Sequence, residues 1–329
     1  MAKLPIRFCK SYQPRSYCVM SVIYKGAVID TNLSRSAMGG TEQMRARLLK
    51  YIDPSLLNNV AIHFARVRQV YDGVPNIFFA HDLPEDPEAK ILENGGWKQF
   101  RVFVFVTCWQ RDAYIARFGI PHSMCRVIEN AIEPASELNK ETDGTIRLIY
   151  HTTPHRGLHI LASVFDELTK KPQYPDRLHL DVFSSFAVYG WGERDKGYKP
   201  VFDQLRKNPN VTYHGAQPNS VVRDYLSRAH YFPYPCTWKE TSCIALIEAI
   251  EHKVLAVHPN LAALPETAGQ NTFMYDYTEN QNEHAKKFYK VMSAVLSHDL
   301  RKSKTINSSP RHNITMFTDK WTNLLKEIQ

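Results

Sequence analysis

The segment Y-P-C-T-W-K-E-T-S-C-I-A-L-I-E-A occupies residues 234–249. An apolar run ends at Tyr234 and Pro235, and Thr241 and Ser242 stand where helix caps stand. Apolar residues then recur at helical spacing, which predicts a strand end, a loop and a helix over 241–252. Such a junction is where α/β sheets bind ligands, outside the carboxyl ends of their strands. The first turn of the helix, with Thr241, Ser242, Cys243 and Ile244, offers backbone amides and a positive dipole end suited to an anion. Glu240 falls just before the helix, where a carboxylate can accept hydrogen bonds from hydroxyl groups. Glu248 follows two turns later on the face of Thr241 and Ile244. An amphipathic helix with an ordinary cap and one solvated glutamate has the same pattern.

Working outward, short β-rich runs alternate with helical patterns on both sides of this segment, the signature of parallel sheets with helical crossovers. Strands are expected at 17–24, 60–64, 76–81, 101–107 and 126–129, then at 146–151, 178–184, 211–215, 230–234, 254–258 and 272–275, with helices at 157–170, 218–228 and 241–252. The polar stretch A-S-E-L-N-K-E-T-D-G-T, 135–145, has no periodicity and ends in a turn signal, so it reads as an interdomain linker. The 329 residues divide into an N-terminal domain (1–140), a C-terminal domain (141–312) and a last helix (313–329). That helix carries Phe317, Trp321, Leu324 and Leu325 on one face and needs a docking surface, expected on the N-terminal domain. The fold class is therefore α/β, with two doubly wound, Rossmann-like domains facing each other across a cleft.

Composition narrows the classes further. No apolar stretch approaches the ~18 residues of a membrane span, and the opening M-A-K-L-P-I-R-F-C-K has no apolar run behind its charges, so neither an integral membrane segment nor a signal peptide is expected. The six cysteines lack C-x-x-C spacing and read as reduced thiols of a cytoplasmic protein, in the host cytoplasm if the source is viral. Residues 1–70 hold eleven Lys/Arg against three Asp/Glu, the whole of the net charge of +8. A surface of that kind favours a polyanion or an anionic membrane face, and a basic surface kept for solubility is the plain alternative.

Other residues with chemical potential lie after expected strands. Gly39 and Gly40 allow close approach of backbone to a ligand at the mouth of a helix beginning near Thr41. His81 and Asp82 close the strand N-I-F-F-A-H-D, where an imidazole and a carboxylate can contact or deprotonate a hydroxyl, or simply cap a loop. Arg156, in T-T-P-H-R-G-L (152–158), stands between a strand end and a helix, where a guanidinium suits an anion better than the helix dipole suits it. His151, His155 and His159 recur every four residues, but Pro154 breaks a common helix, so no metal site is expected. Gly190 and Gly192 read as a turn. No Asp-x-Asp, Walker loop, complete G-x-G-x-x-G or H-E-x-x-H occurs.

In combination these pieces resemble glycosyltransferase family 4, a family of retaining enzymes with the GT-B fold. The E-x7-E of Glu240 and Glu248, followed by P-N-L-A-A-L-P-E (259–266), resembles the family's donor site. M-G-G-T-E (38–42) resembles its glycine loop, S-M-C-R-V-I-E-N-A-I (123–132) its last N-terminal strand, T-T-P-H-R-G-L its basic phosphate loop, and V-T-Y-H-G-A (211–216), with His214 and Gly215, its nucleotide-side strand. The order is the family's own across 38–268. The resemblance implies a nucleotide-sugar co-substrate, UDP- or GDP-linked, and no metal or other cofactor. It implies a donor site of Gly39, Gly40, Arg156, His214, Gly215, Glu240, Thr241, Ser242, Cys243, Ile244 and Glu248. Arg156 would hold the diphosphate, Glu240 the sugar and Glu248 the ribose. Gly40, His81 and Asp82 would meet the acceptor, and Asp82, His81, Arg156 and Glu240 would carry catalysis. Three departures stand out. Lys253 replaces the glycine that usually ends the helix, 150–154 (Y-H-T-T-P) lacks the family's earlier basic residue, and a basic extension of about 16 residues precedes the first strand.

Two acceptor classes follow. Retaining phage DNA α-glucosyltransferases, which share the GT-B architecture, also carry His-Asp at this strand end. With the basic N-terminal 70 residues, this favours hydroxymethylated bases of DNA by a narrow margin over a lipid-linked or cell-surface glycan. A catalytically silent nucleotide-sugar or nucleic-acid binding module is the third possibility, opposed by the intact Glu240, Glu248 and Arg156.

Overall fold

The computed structural model describes residues 22–24, 27–29, 39–135, 137–140, 143–174, 177–298 and 306–329. The expected basic extension, Met38 of the glycine loop and the first part of the strand expected at 17–24 lie outside the described residues. The chain divides into two compact units, one containing Gly39–Ala131 and Arg311–Gln329, the other containing Ile132–Pro310.

The first unit opens with β1 (Val22–Tyr24) and β2 (Ala27–Ile29), paired antiparallel, and continues through α1 (Gly40–Tyr51), β3 (Ala61–Phe64), β4 (Asn76–Phe79), β5 (Val102–Phe105), α2 (Cys108–Phe118) and β6 (Cys125–Val127). From β2 onward all pairs are parallel, and the strands lie in chain order across a six-stranded sheet. Every residue of β3, β4 and β5 is buried, so both faces of the sheet are covered and the strands read as unbroken apolar runs. The link from β4 to β5 is 3-10 helical, over Pro87–Gln99, with a kink at Glu93–Gly95.

The second unit contains β7 (Ile146–Tyr150), α3 (Leu158–Thr169), β8 (Leu178–Val182), α4 (Lys199–Lys207), β9 (Val211–Tyr213), α5 (Asn219–Arg228), β10 (Tyr231–Pro233), α6 (Ile244–Glu251), β11 (Leu255–Pro259), α7 (Leu264–Ala268), β12 (Phe273–Tyr275) and α8 (Gln281–Ser297). Its parallel sheet has the order β12-β11-β10-β7-β8-β9, so strand order reverses between β7 and β10. Ligands of such sheets bind at the carboxyl ends of the strands beside such a reversal. The loops concerned are 151–157 and 234–243.

The chain then returns to the first unit as α9 (Ile314–Ile328), whose cap is the Asn313 side chain accepting from the Met316 amide. Phe317, Trp321, Leu324 and Leu325 are buried, and the Trp321 ring meets Phe79 of β4 edge-on at 5.1 Å. Burial of such side chains stabilises by roughly 1.5–3 kcal/mol each, which holds the terminal helix on a unit distant from it in sequence.

Two boundaries differ from the sequence reading. The units divide at Ala131 and Ile132, and the described residues of the expected linker are tied to the second unit. Arg223 of α5 donates to the carbonyls of Glu133 and Pro134, Lys140 Nζ donates to the carbonyls of Leu226 (3.0 Å) and Ala229, and Asn139 N donates to Ser227 O at 3.1 Å. A polar segment without periodicity looked free because the partners of its backbone are remote in sequence. The helix expected from Thr241 begins at Ile244, with Cys243 as its N-cap and no side chain capping it. Thr241 and Ser242 therefore belong to the approach loop, and Thr241 shares no helical face with Glu248.

Candidate functional site

The second unit builds its site from two loops that touch. Gly157 has φ +91 and its α-carbon faces the Pro235 carbonyl so closely that a β-carbon would lie 1.9 Å from that oxygen. Only glycine permits both the left-handed backbone and the approach, so the R-G turn is pressed onto the segment after β10. Buried hydroxyls reinforce the contact. Tyr150 donates to the carbonyls of Thr153 and Arg156, both at 3.2 Å, and Thr237 donates to the His155 carbonyl at 3.1 Å. The 259–266 segment closes the other side, the Ala263 amide donating to the Glu240 carbonyl at 3.2 Å.

These constraints bring Arg156 and Glu240 together. Arg156 Nε donates to Glu240 Oε1 at 2.5 Å, the Tyr234 hydroxyl donates to the same oxygen at 2.7 Å, and Arg156 Nη1 donates to the Thr153 hydroxyl. Glu240 is 8% exposed and Tyr234 fully buried. Burial works against the charge on Arg156, but the Glu240 carboxylate beside it, aided by Tyr189 and Tyr234, holds the guanidinium protonated well above its ordinary range. The expected diphosphate-binding and sugar-binding residues are thus each other's partners here. Both groups are already largely desolvated, and each retains hydrogen-bonding capacity beyond these contacts.

Glu248, 3% exposed on α6, accepts from Asn219 Nδ2 at 2.9 Å and lies 3.9 Å from His151 Nε2. His151 Nε2 donates to the Ala245 carbonyl at 3.1 Å, leaving a buried Nδ1 without a hydrogen-bond partner. Burial pushes the His151 pKa down to about 3, so it is neutral near pH 7 and supplies no second positive charge after β7. Ser242 Oγ is likewise buried and unpartnered, at the mouth of α6. Lys253, just beyond the helix, has φ +57, so it takes up the left-handed turn for which glycine is the ordinary choice.

At the end of β9, His214 Nε2 bonds Asp181 Oδ1 at 2.8 Å, and its ring lies parallel to Phe183 at 4.2 Å with Tyr225 edge-on at 4.9 Å. Burial opposes the charge on Asp181, and hydrogen bonds from His179 and His214 outweigh it and lower its pKa. Gly215 follows with φ +67. Gly190, also left-handed, ends the 3-10 segment Phe186–Tyr189.

In the first unit, Gly39 is the N-cap of α1 in extended conformation and Gly40 is the first helical residue; the cap has no side-chain hydrogen bond. His81 and Asp82 follow β4. The His81 ring lies 4.2 Å from Phe79 and is stacked on Phe64, and burial drives its pKa down to about 3. The Asp82 carbonyl is clamped by Gln110 Nε2 at 2.9 Å and the Tyr114 hydroxyl at 3.2 Å. Burial pushes the Asp82 pKa up to about 6, with Asp86, Glu88 and Glu42 adding to the effect and Arg66 opposing it.

Sequence reasoning did not single out Tyr150, Thr153, Asn219 or Gln110, His151 entered only in a histidine repeat read against a metal site, and Tyr234 entered only as the end of a strand. Buried tyrosines read as core, and the loop conformations that turn their hydroxyls onto partners three and six residues on have no signal in the apolar pattern. Among the described residues, no group of three His, Cys, Asp or Glu is placed to hold a metal ion, and no helix is long and apolar enough to cross a membrane.

With this geometry in view, comparison with known proteins is informative. The family model for glycosyl transferases group 1 matches residues 130–305, more than half of the chain. The chain belongs to the glycosyl transferases group 1 family. No curated protein matches it. Solved structures with the same fold include HepE from Anabaena in complex with UDP-glucose (13% identity, covering 85% of this chain and 82% of that one, TM-score 0.64) and a glycosyltransferase from Rickettsia africae (14%, 88% and 80%, TM-score 0.63). TarM, solved from S. aureus, is similar at 17% identity over 87% of this chain and 58% of its own, TM-score 0.58. The group 1 glycosyltransferase described here therefore has the GT-B fold. The matched residues contain the Arg156, Glu240 and Glu248 site in full, together with β7 to β12.

Proposed function

We propose that this group 1 enzyme is a retaining, metal-independent glycosyltransferase of the family 4 kind, transferring a sugar from a UDP- or GDP-sugar to a hydroxyl group. The observation that carries the reading is the buried contact of Arg156 with Glu240 at the switch between β7 and β10. On donor binding, Arg156 turns from Glu240 toward the diphosphate, and the uncapped amino end of α6 faces the same charge. Arg156 and Tyr234 both address Oε1 of Glu240, so Oε2 is the oxygen offered to a sugar hydroxyl. Glu248, oriented by Asn219, takes the ribose, and His214 and Gly215 belong to the nucleotide side. The transition state has oxocarbenium character and the leaving group gathers negative charge, which Arg156 stabilises without a metal. A leaving phosphate oxygen takes the acceptor proton on the same face, so anomeric configuration is kept. His81 and Asp82 serve the acceptor side, where Asp82, its pKa pushed up to about 6 by burial, orients the attacking hydroxyl.

The DNA reading of the acceptor rests on the His81-Asp82 pair, the lack of an apolar membrane span and eleven basic residues in 1–70, and six of these basic residues lie outside the described residues. Of the others, Arg47 is buried and Arg68 is paired with Glu88. Incubation with UDP-, GDP- and ADP-sugars in the presence of EDTA, against acceptors that include hydroxymethylated DNA and oligosaccharides, tests the proposal by mass spectrometry and by NMR of the new anomeric bond. Transfer with retention supports it. An inverted product, or activity abolished by EDTA and restored by Mn²⁺, removes the mechanism.

A further inference from the structure

Two of the largest exposed apolar side chains in the described structure are indoles of one aromatic run beside the candidate donor site: Trp238 is 47% exposed and Trp191 is 37% exposed. Trp238 lies two residues before Glu240 and meets the His155 ring edge-on at 5.0 Å, and His155 stacks on Phe186 at 5.3 Å. Phe186 opens the short helical segment whose carbonyl accepts from the Trp191 amide at 3.1 Å. Tyr189 meets the Trp191 ring at 5.4 Å, and the Arg194 guanidinium lies 4.4 Å over it. His155 precedes Arg156 directly, so the run starts at the donor residues and leads away over the surface of the second unit. We propose that Trp238 and Trp191 form a saccharide subsite, in which the apolar face of a neutral pyranose ring stacks on the indoles. The assignment rests on the donor reading of Arg156 and Glu240.

The local charges decide between ring types. A nucleic acid would also stack on indoles, but its phosphates demand a cationic track. Glu193, Arg194, Asp195 and Lys196 cancel around Trp191, with Asp195 committed to the Ser185 hydroxyl and the Phe186 amide (2.5 and 2.8 Å), and beside Trp238 a single exposed lysine, Lys239, falls short of a cationic track. Burial and the neighbouring guanidinium groups of Arg156 and Arg194 push the His155 pKa down to about 3, so the ring beneath Trp238 is neutral too. A surface with exposed indoles and balanced charge suits the C–H face of a sugar, which is apolar although its rim is hydroxylated.

The test uses the full chain and intrinsic tryptophan fluorescence, with hexaoses of glucose, mannose and N-acetylglucosamine, a dT10 oligonucleotide, and UDP as separate probes. At least one hexaose should bind, and Trp238→Ala and Trp191→Ala should each weaken it by about tenfold or more, as truncation of a stacking anchor does. UDP affinity should stay within about twofold of wild type. Absence of hexaose binding in the wild type, hexaose binding unchanged in both variants, or preferential binding of dT10 would each overturn the subsite. Failure of the wild type to bind UDP would instead strike at the donor reading, whatever the hexaoses do.

Discussion

The loops after β7 and β10 in the second unit and the residues after β4 in the first unit occupy equivalent positions, each at the carboxyl end of a buried parallel strand. Their electrostatics are opposite. At the first, a guanidinium and a carboxylate lie together, and the carboxylate holds the guanidinium charged against the cost of burial. At the second, Asp82 is half-buried near other carboxylates, and its charge is disfavoured. Equivalent positions in two sheets are therefore fitted to different work. On the proposed mechanism, one keeps a fixed charge ready for an anion that builds during reaction, and the other keeps a carboxyl group on the edge of ionisation.

The comparison breaks first if the charged pair is dispensable. Arg156→Ala and Glu240→Gln should each lower turnover at least ~100-fold, roughly 3 kcal/mol of lost transition-state stabilisation. Near-normal rates in both would leave the pair as a structural feature only. A second test strikes at how the pair is assembled. Gly157→Ala places a β-carbon against the Pro235 carbonyl in a left-handed backbone, so chemical denaturation should show the second unit weakened by roughly 2–3 kcal/mol. An unchanged midpoint would mean that the two loops do not depend on that contact.

The opposite side of the comparison is read through pH. Because the folded-state pKa of Asp82 lies above its unfolded value of 3.8, its contribution to stability is complete below about pH 4 and is lost as pH rises through about 6. Relative to Asp82→Asn, the wild type should lose about 3 kcal/mol across that window, and its kcat/KM should rise over the same range if the ionised carboxylate orients the acceptor hydroxyl. Parallel stability profiles for the two proteins would remove the desolvated carboxyl group from the account. The smallest effect is expected at Lys253→Gly, which relieves a left-handed lysine and should raise the thermal midpoint by an amount worth about 0.5–1 kcal/mol. A loss instead would show that the Lys253 Nζ bond to Ser308, at 2.6 Å, outweighs the strain.

What could be read from the residues follows from which interactions are local. Runs such as N-I-F-F and V-F-V-F declare buried parallel strands, and the apolar spacing of α9 announces a helix that needs a surface, because period and propensity are properties of neighbours in sequence. Arg156 and Glu240 could each be picked out by position relative to a strand end. Their mutual contact could not, since it depends on Gly157 meeting Pro235 and on where the sheet reverses. The same limit explains the late start of α6. Thr241 and Ser242 carry the chemistry of caps, but the Ala263 contact to Glu240 draws that loop aside and leaves Cys243 at the cap. Asn219, which orients Glu248 from another helix, had no signal in the sequence at all.

Isothermal titration of UDP-glucose into the wild type, Arg156→Ala and His81→Ala addresses the central claim most directly. The donor should bind the wild type and His81→Ala with affinities within about threefold of each other, and Arg156→Ala at least ~30-fold more weakly, as expected for loss of a charge-assisted contact to phosphate. Equal binding by wild type and Arg156→Ala, or a larger loss in His81→Ala, would contradict the assignment of the donor diphosphate to the second unit's charged pair.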